Sequence, residues 1–305
     1  MKQLISFDDL TSQEIGKLFK LTKEIKQKHL KHEAYTPLKG KTLGMIFGKA
    51  STRTRVSFEV GMFQLGGHAL FLSSSDLQLK RGETISDTAK TLSRYLDGIM
   101  MRTYSHQDVV NMSKYATIPV INGLTDLLHP CQLLSDIYTV LEKKKELKGL
   151  KIVYIGDGDN VANSWAEGAG KLGLNLVLCT PKEYQPNKEI LKKAAKAAAA
   201  GGGKIILSDA PLKAVKGADI VYTDVWISMG KEAEEAKRLK VFRPYQVNSK
   251  LLKEAKKDVM VMHCLPAYRG DEITSEVMDS DNFIGFDQAE NRLHVQKAIL
   301  IALLG

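Results

Sequence analysis

One alternation runs through nearly the whole chain and restricts its fold more than any other feature. Short runs rich in β-branched residues recur, and each is followed by apolar residues at helical spacing. The strand-like runs are 42–47, 69–72, 98–101 and 118–121 in the first half, then 152–155, 176–179, 204–207, 220–223 and 259–262 in the second. Strands separated by helices pair in parallel, because the crossover carries the chain back to its starting edge. The pattern therefore predicts an α/β fold of mainly parallel sheets flanked by helices. Ile85, Ala89, Leu92 and Leu96 mark one helix, and Val56, Val60 and Phe63 mark another that Gly66-Gly67 closes. The alanine-rich run 194–200, stopped by Gly201-Gly202-Gly203, reads as a surface helix.

A chain of 305 residues has room for two domains. A long helix over 133–147 ends in lysines and Gly149, and a new strand–helix series starts at Lys151. The expected domains are therefore 1–147 and 148–286. The final helix, 287–305, could pack on either one. Its apolar end, 298–304, is too short to span a bilayer, so no membrane partner is expected. The first residues lack the layout of a signal peptide, and Cys131, Cys179 and Cys264 show no paired spacing. Both features fit a cytoplasmic protein without disulfides or a zinc site. The net charge of +9 comes from lysine-rich helical runs, with no basic stripe interleaved with aromatics. Nucleic acid is therefore not an expected partner, whereas an anionic small substrate is compatible.

In open α/β sheets, ligands collect at the carboxyl ends of strands. Ser51-Thr52-Arg53-Thr54-Arg55 follows the first strand run, Arg102 the third, and Asn122 and His129 the fourth. In the second half, Asn160, Asp224 and His263-Cys264 follow their strands in the same way. All the unusual polar groups thus gather at one kind of edge.

Each cluster has a plain structural reading beside a functional one. Ser51–Arg55 opens a helix, where free N–H groups and the positive dipole end suit a phosphate, with Arg53 as a fork. The plain reading is a helix cap, with Arg55 paired to Glu59, and we adopt that pairing for Arg55. Gly156 and Gly158 in IVYIGDGDNVANS suggest a dinucleotide loop. Val161 stands where the third glycine belongs, however, and strand 176–179 ends without an acidic residue. Asp157, Asp159 and Asn160 suit a small polar ligand better than NAD. His129-Pro130-Cys131-Gln132 enters a helix and could polarise a carbonyl, or His129 could be a satisfied core residue. Asp224 could hold an ammonium or cap a helix before Lys231. Cys264 is not assigned as a nucleophile, because the sequence places no base beside it. Arg292, in the last helix, could be a surface ion pair.

Taken together, Ser51–Arg55, Arg102-Thr103, His129-Pro130-Cys131-Gln132, Asp224 with Ser228-Met229-Gly230, and His263-Cys264-Leu265-Pro266 resemble the ornithine carbamoyltransferase family, in order, over nearly the whole chain. The resemblance implies a carbamoyl phosphate-binding domain and an ornithine-binding domain, with the last helix packing back on the first. It implies a homotrimer or a multiple of trimers. Ser51, Thr52, Arg53 and Thr54 would cradle phosphate, and Gln78 would reach that phosphate from a neighbouring subunit. Arg102 would bridge phosphate and carbonyl oxygen. His129, Pro130, Cys131, Gln132 and Arg292 would hold the carbamoyl end, and Cys264 with Leu265 would contact the reacting centre. Asn160, Asp224, Ser228 and Met229 would hold L-ornithine. The implied chemistry is amine attack on carbamoyl phosphate through a tetrahedral intermediate, which needs neither metal nor organic cofactor. Aspartate and putrescine are the alternative amines. Aspartate would need cations at its second carboxylate, where this chain offers Asp224. An NAD-dependent dehydrogenase and a non-catalytic basic binding protein are the rivals from other classes.

Overall fold

The computed structural model describes residues 1–228 and 231–305. The chain forms two compact units. One comprises Met1–Tyr138 with Glu290–Gly305, and the other Thr139–Ala289.

The first unit runs α1 (Ser12–Leu30), β1 (Thr42–Phe47), α2 (Thr52–Gln64), β2 (His68–Ser73), α3 (Ile85–Leu92), β3 (Gly98–Arg102), α4 (His106–Tyr115), β4 (Val120–Leu124) and the start of α5 (Pro130–Lys144). Its sheet has the order β2-β1-β3-β4, and every pairing is parallel. Ile46, Ile99, Met101, Val109 and Met112 lie in one of its apolar clusters. The second unit continues with β5 (Lys151–Ile155), α6 (Asn160–Leu172), β6 (Asn175–Cys179), α7 (Lys188–Ala200), β7 (Lys204–Ser208), α8 (Pro211–Val215) and β8 (Ile220–Thr223). It then adds α9 (Glu235–Phe242), α10 (Ser249–Leu252), β9 (Met260–His263), α11 (Ser275–Met278) and α12 (Gly285–Leu304), of which the part from Glu290 belongs to the first unit. Its five strands, all parallel, take the order β7-β6-β5-β8-β9. The expected α/β fold is therefore present, and α12 returns the chain to the first unit.

Strand order decides where ligands can sit. The order reverses direction between β1 and β3 in one sheet and between β5 and β8 in the other. At such switch points the loops leave in opposite directions and open a crevice at the strand ends. The crevice of the first unit is bordered by Ser51 and Arg102, and that of the second by Asp157–Asn160 and Asp224.

Several local expectations change. The helix expected over 133–147 begins at Pro130, since proline suits a first helical turn whose N–H needs no acceptor. It stops at Lys145, which adopts a left-handed backbone (φ 69°), four residues before Gly149. The two compact units meet within this helix, between Tyr138 and Thr139. Helix α2 presents a different face from the one expected. Val56 and Phe63 are exposed, and Thr54, Phe58, Gly61 and Met62 are buried. The alanine-rich α7 is not merely a surface helix. Ala194 lies so close to α6 that a Cβ at Gly170 would stand 3.0 Å from its Cα. Asn122 lies within β4 rather than after it. Its backbone N–H and its amide donate to the carbonyls of Leu4 and Ile5, which pins the N-terminal segment to the sheet edge. No helix among the described residues is long and apolar enough to cross a membrane.

Candidate active site

The first unit builds its crevice around one hydroxyl. Ser51 caps α2, its Oγ accepting from the Thr54 N–H at 3.2 Å. Capping turns the first helical residue pairs outward and carries Thr54 to the buried side. There Thr54 Oγ1 accepts from Arg102 Nη1 at 3.4 Å and from Arg292 Nη2 at 3.1 Å. Both arginines are buried. Arg102 is the last residue of β3, and Arg292 comes from α12, so three remote segments meet on one oxygen. Arg292 Nη1 donates to Gln132 Oε1 at 3.1 Å, and Gln132 Nε2 donates to Asp136 Oδ1 at 2.9 Å. The plain surface-pair reading of Arg292 is thereby excluded. Arg55 forms its expected pair with Glu59, at 2.9 Å.

His129 is buried just before α5, and its pKa lies well below the ordinary value. Burial is the chief cause, followed by the positive charges of Arg292 and Arg102. The imidazole is therefore neutral at pH 7. Cys131 is turned to the backbone, its Sγ 3.4 Å from the Asn122 carbonyl oxygen, and burial pushes its thiol up to about 12. Thr52 is exposed and Arg53 half-buried at the mouth of α2. Gln78 is exposed on a 3-10 turn, Gln78–Arg81, outside these hydrogen bonds.

In the second unit, β8 ends at Thr223 and β9 at His263, and these two residues are register partners. The residues that follow them meet: Cys264 Sγ donates to Asp224 Oδ1 at 2.8 Å. Asp224 Oδ1 also accepts from the Val225 N–H at 2.8 Å. Burial raises the Asp224 pKa, against the opposing effects of His263 and of these two donors. Leu265 takes a left-handed backbone (φ 58°), rare for a residue with a branched side chain, and its N–H donates to His263 Nδ1 at 2.8 Å. His263 must then carry its proton on Nε2, which donates to Glu272 Oε1 at 2.9 Å. Ligand atoms of Asp224, His263 and Cys264 lie within 4.8 Å of one another, the one such group of potential metal ligands among the described residues. Their hydrogen bonds already account for both imidazole nitrogens and for the thiol proton.

Asn160 is the first residue of α6, with Asp159 as its cap at 2.9 Å. Ser228 Oγ donates to Asp159 Oδ2 at 3.0 Å, which brings two of the expected amino-acid contacts to adjacent positions. Met229 and Gly230 lie outside the described residues. Asp157 has a different part from the ligand contact its sequence suggested. It pairs with Arg238 and with Lys231, and its carboxyl is raised to about 6 by burial and by Asp159. Sequence reasoning missed Asp136, Arg238, Lys231 and Glu272. Lys231 and Arg238 sit in a stretch dense with charge, and nothing local separates them from surface residues.

Two switch-point crevices, one lined with paired guanidinium groups and the other with a carboxylate and a thiol, define a two-substrate α/β enzyme scaffold. The profile described as aspartate/ornithine carbamoyltransferase, carbamoyl-P binding domain, matches residues 2–142, and that of the Asp/Orn binding domain matches 148–303. The chain therefore belongs to the aspartate/ornithine carbamoyltransferase family. Within that family it is 57% identical to the ornithine carbamoyltransferase of Syntrophus aciditrophicus over 303 residues, 99% of each chain. It is 54% identical to the anabolic ornithine carbamoyltransferase of Pyrococcus furiosus, covering 100% of this chain and 96% of that protein. The solved structure of the Pyrococcus furiosus ornithine carbamoyltransferase superimposes with a TM-score of 0.97, covering 100% of this chain and 97% of that one.

Proposed function

We propose that the protein transfers the carbamoyl group of carbamoyl phosphate to the side-chain amine of L-ornithine, giving L-citrulline and phosphate. The observation that carries this reading is the meeting of Arg102 and Arg292 on Thr54 Oγ1 beneath the start of α2. Two buried cations held this close repel each other, and an anion relieves the repulsion. The helix N-terminus adds N–H donors aimed the same way. Full-length likeness to ornithine carbamoyltransferases supports ornithine over aspartate or putrescine as the acceptor.

On this reading residues 1–147 with 287–305 serve carbamoyl phosphate, and 148–286 serve ornithine. Ser51, Thr52, Arg53 and Thr54 take the phosphate, joined by Gln78 of a neighbouring subunit in a homotrimer or a multiple of trimers. Arg102 bridges phosphate and carbonyl oxygen. His129, Pro130, Gln132 and Arg292 hold the carbamoyl group; any part for Cys131 falls to its backbone, since its thiol faces β4. A neutral His129 can donate one N–H to the carbonyl oxygen, and donors there stabilise the charge of a tetrahedral intermediate. Arginines on the phosphate favour its departure. Asn160, Asp224, Ser228 and Met229 hold ornithine, with Cys264 and Leu265 at the reacting end. We extend the reading to arginine biosynthesis, or arginine breakdown in reverse, in the cytoplasm.

The attacking amine must be neutral, and an aliphatic ammonium titrates near about 10.4 in water. Asp224 would raise that value, whereas Arg53 and Arg102 would lower it. The rate is therefore expected to rise with pH from 6 to 9, and a flat profile with chemistry limiting would refute this part. The deciding assay is citrulline formation with ornithine, aspartate or putrescine, for wild type and Arg53→Ala. Activity confined to ornithine and lost in the variant supports the reading. Activity with another amine overturns the assignment of the second unit.

A further inference from the structure

Asp159 uses its two carboxylate oxygens for different purposes. Oδ1 caps α6 through the Asn160 N–H at 2.9 Å. Oδ2 accepts from Ser228 Oγ at 3.0 Å and from Lys231 Nζ at 3.0 Å. Ser228 is also held from its backbone, because the Lys231 N–H donates to the Ser228 carbonyl at 3.0 Å. Behind this contact Lys231 Nζ lies 3.4 Å from Asp157 Oδ2, and Asp157 is gripped by Arg238. Arg238 is itself anchored by donating from Nε to the Trp226 carbonyl at 2.7 Å. Glu234 Oε2 also accepts from Arg238 Nη1 at 3.2 Å, so three carboxylates share two cations in a region where Asp157 and Arg238 are buried.

A serine hydroxyl has one proton and two lone pairs. With its proton committed to Asp159, Ser228 offers lone pairs to whatever approaches it. It then accepts from an ammonium or amine and repels a carboxylate. Lys231 has the complementary task of neutralising Asp159, which would otherwise be a competing site for a cationic substrate beside Asn160.

We propose that Asp159 and Lys231 form a matched pair of positioning residues, which orients the Ser228 hydroxyl as an acceptor and so tunes the second unit for an amino-acid substrate with free ammonium groups. The inference rests on the assignment of Ser228 and Asn160 to the ornithine site. Its distinctive consequence is mutual dependence. Lys231→Gln leaves the Asp159 carboxylate uncompensated. Asp159→Asn turns a donor amide toward Ser228 and reverses its hydroxyl. The double replacement removes both charges together but leaves the Ser228 hydroxyl reversed, so it adds nothing to the loss from Asp159→Asn alone.

The test is steady-state kinetics of citrulline formation on the full chain. Each single variant is expected to raise KM for ornithine about tenfold, equivalent to about 1.4 kcal/mol, with kcat within about threefold and KM for carbamoyl phosphate unchanged. The double variant Asp159→Asn/Lys231→Gln is expected to raise KM for ornithine no further than Asp159→Asn alone, about tenfold. Additive losses in the double variant, or single variants that leave KM for ornithine unchanged, would overturn the pairing. So would equal shifts in both KM values, which signal general damage. Failure of the proposed function itself looks different, since wild type would then make no citrulline.

Discussion

Lys297 offers a sharp test of how the first unit is stabilised. It lies in α12 and is only 3% exposed. Its stem lies against α2, where a Cβ at Gly61 would stand 3.6 Å from its Cγ. Its charge bears on His29 and His294, whereas its own shift comes from burial. His294 is buried and its own pKa is pushed down to about 3, by burial first and then by Lys297, His29 and Lys26. Burial brings the Lys297 amine down to about 8 from an ordinary value of 10.5. Between these two values the unfolded chain holds a proton that the folded chain has released, so folding stability rises with pH across that window. Below pH 8 the folded protein carries the full burden of a buried ammonium. The gap corresponds to about 3 kcal/mol. Lys297→Met keeps an unbranched apolar stem and removes the charge. It is expected to stabilise the protein at pH 7 by about 1–3 kcal/mol and to flatten the rise in stability between pH 8 and 10. Urea unfolding midpoints at fixed protein concentration, at pH 7, 8, 9 and 10, measure both effects. A variant less stable than wild type at pH 7, or one with an undiminished pH slope, would show that Lys297 is held by compensating interactions and that the reasoning fails.

Other expectations follow from the site geometry. Thr54→Val keeps the volume but removes the oxygen shared by Arg102 and Arg292; kcat/KM for carbamoyl phosphate should fall about 100-fold, or about 2.7 kcal/mol, and a fall under threefold would remove Thr54 from the site. Cys264→Ser retains a donor to Asp224 whereas Cys264→Ala does not, so the serine variant should keep at least tenfold more activity than the alanine variant; equal activities would make the contact irrelevant. Gly158→Ala would drive a Cβ into the backbone of Tyr184, Gln185 and Pro186, and should destabilise by about 1–3 kcal/mol or more in thermal unfolding.

Parts of this architecture are legible in the sequence alone. The strand runs of β1 and β8 stand where periodicity puts them, and polar groups do gather at strand ends, because alternation and turn residues are local properties. Helix α2 shows where local reading ends. Val56, Val60 and Phe63 have helical spacing, yet so do Thr54, Phe58 and Gly61, and a helix with apolar residues on more than one side has no unique inner face. The buried face is the one carrying Thr54, whose hydroxyl is matched by guanidinium groups from β3 and α12. Asn122 and Cys131 had the residue types of a ligand site, and their side chains instead hold backbone around β4.

The sequence by itself determined the class of fold, the order of its elements and the edge of each sheet at which chemistry collects. These depend on periods of two and 3.6 residues and on chain direction, all written within short windows. Tertiary structure decided which charged groups meet. Thr54 finds Arg102 across 48 residues and Arg292 across 238, and Asp157 finds Arg238 across 81. Contacts of that span depend on strand order and helix rotation, which no short window of sequence encodes.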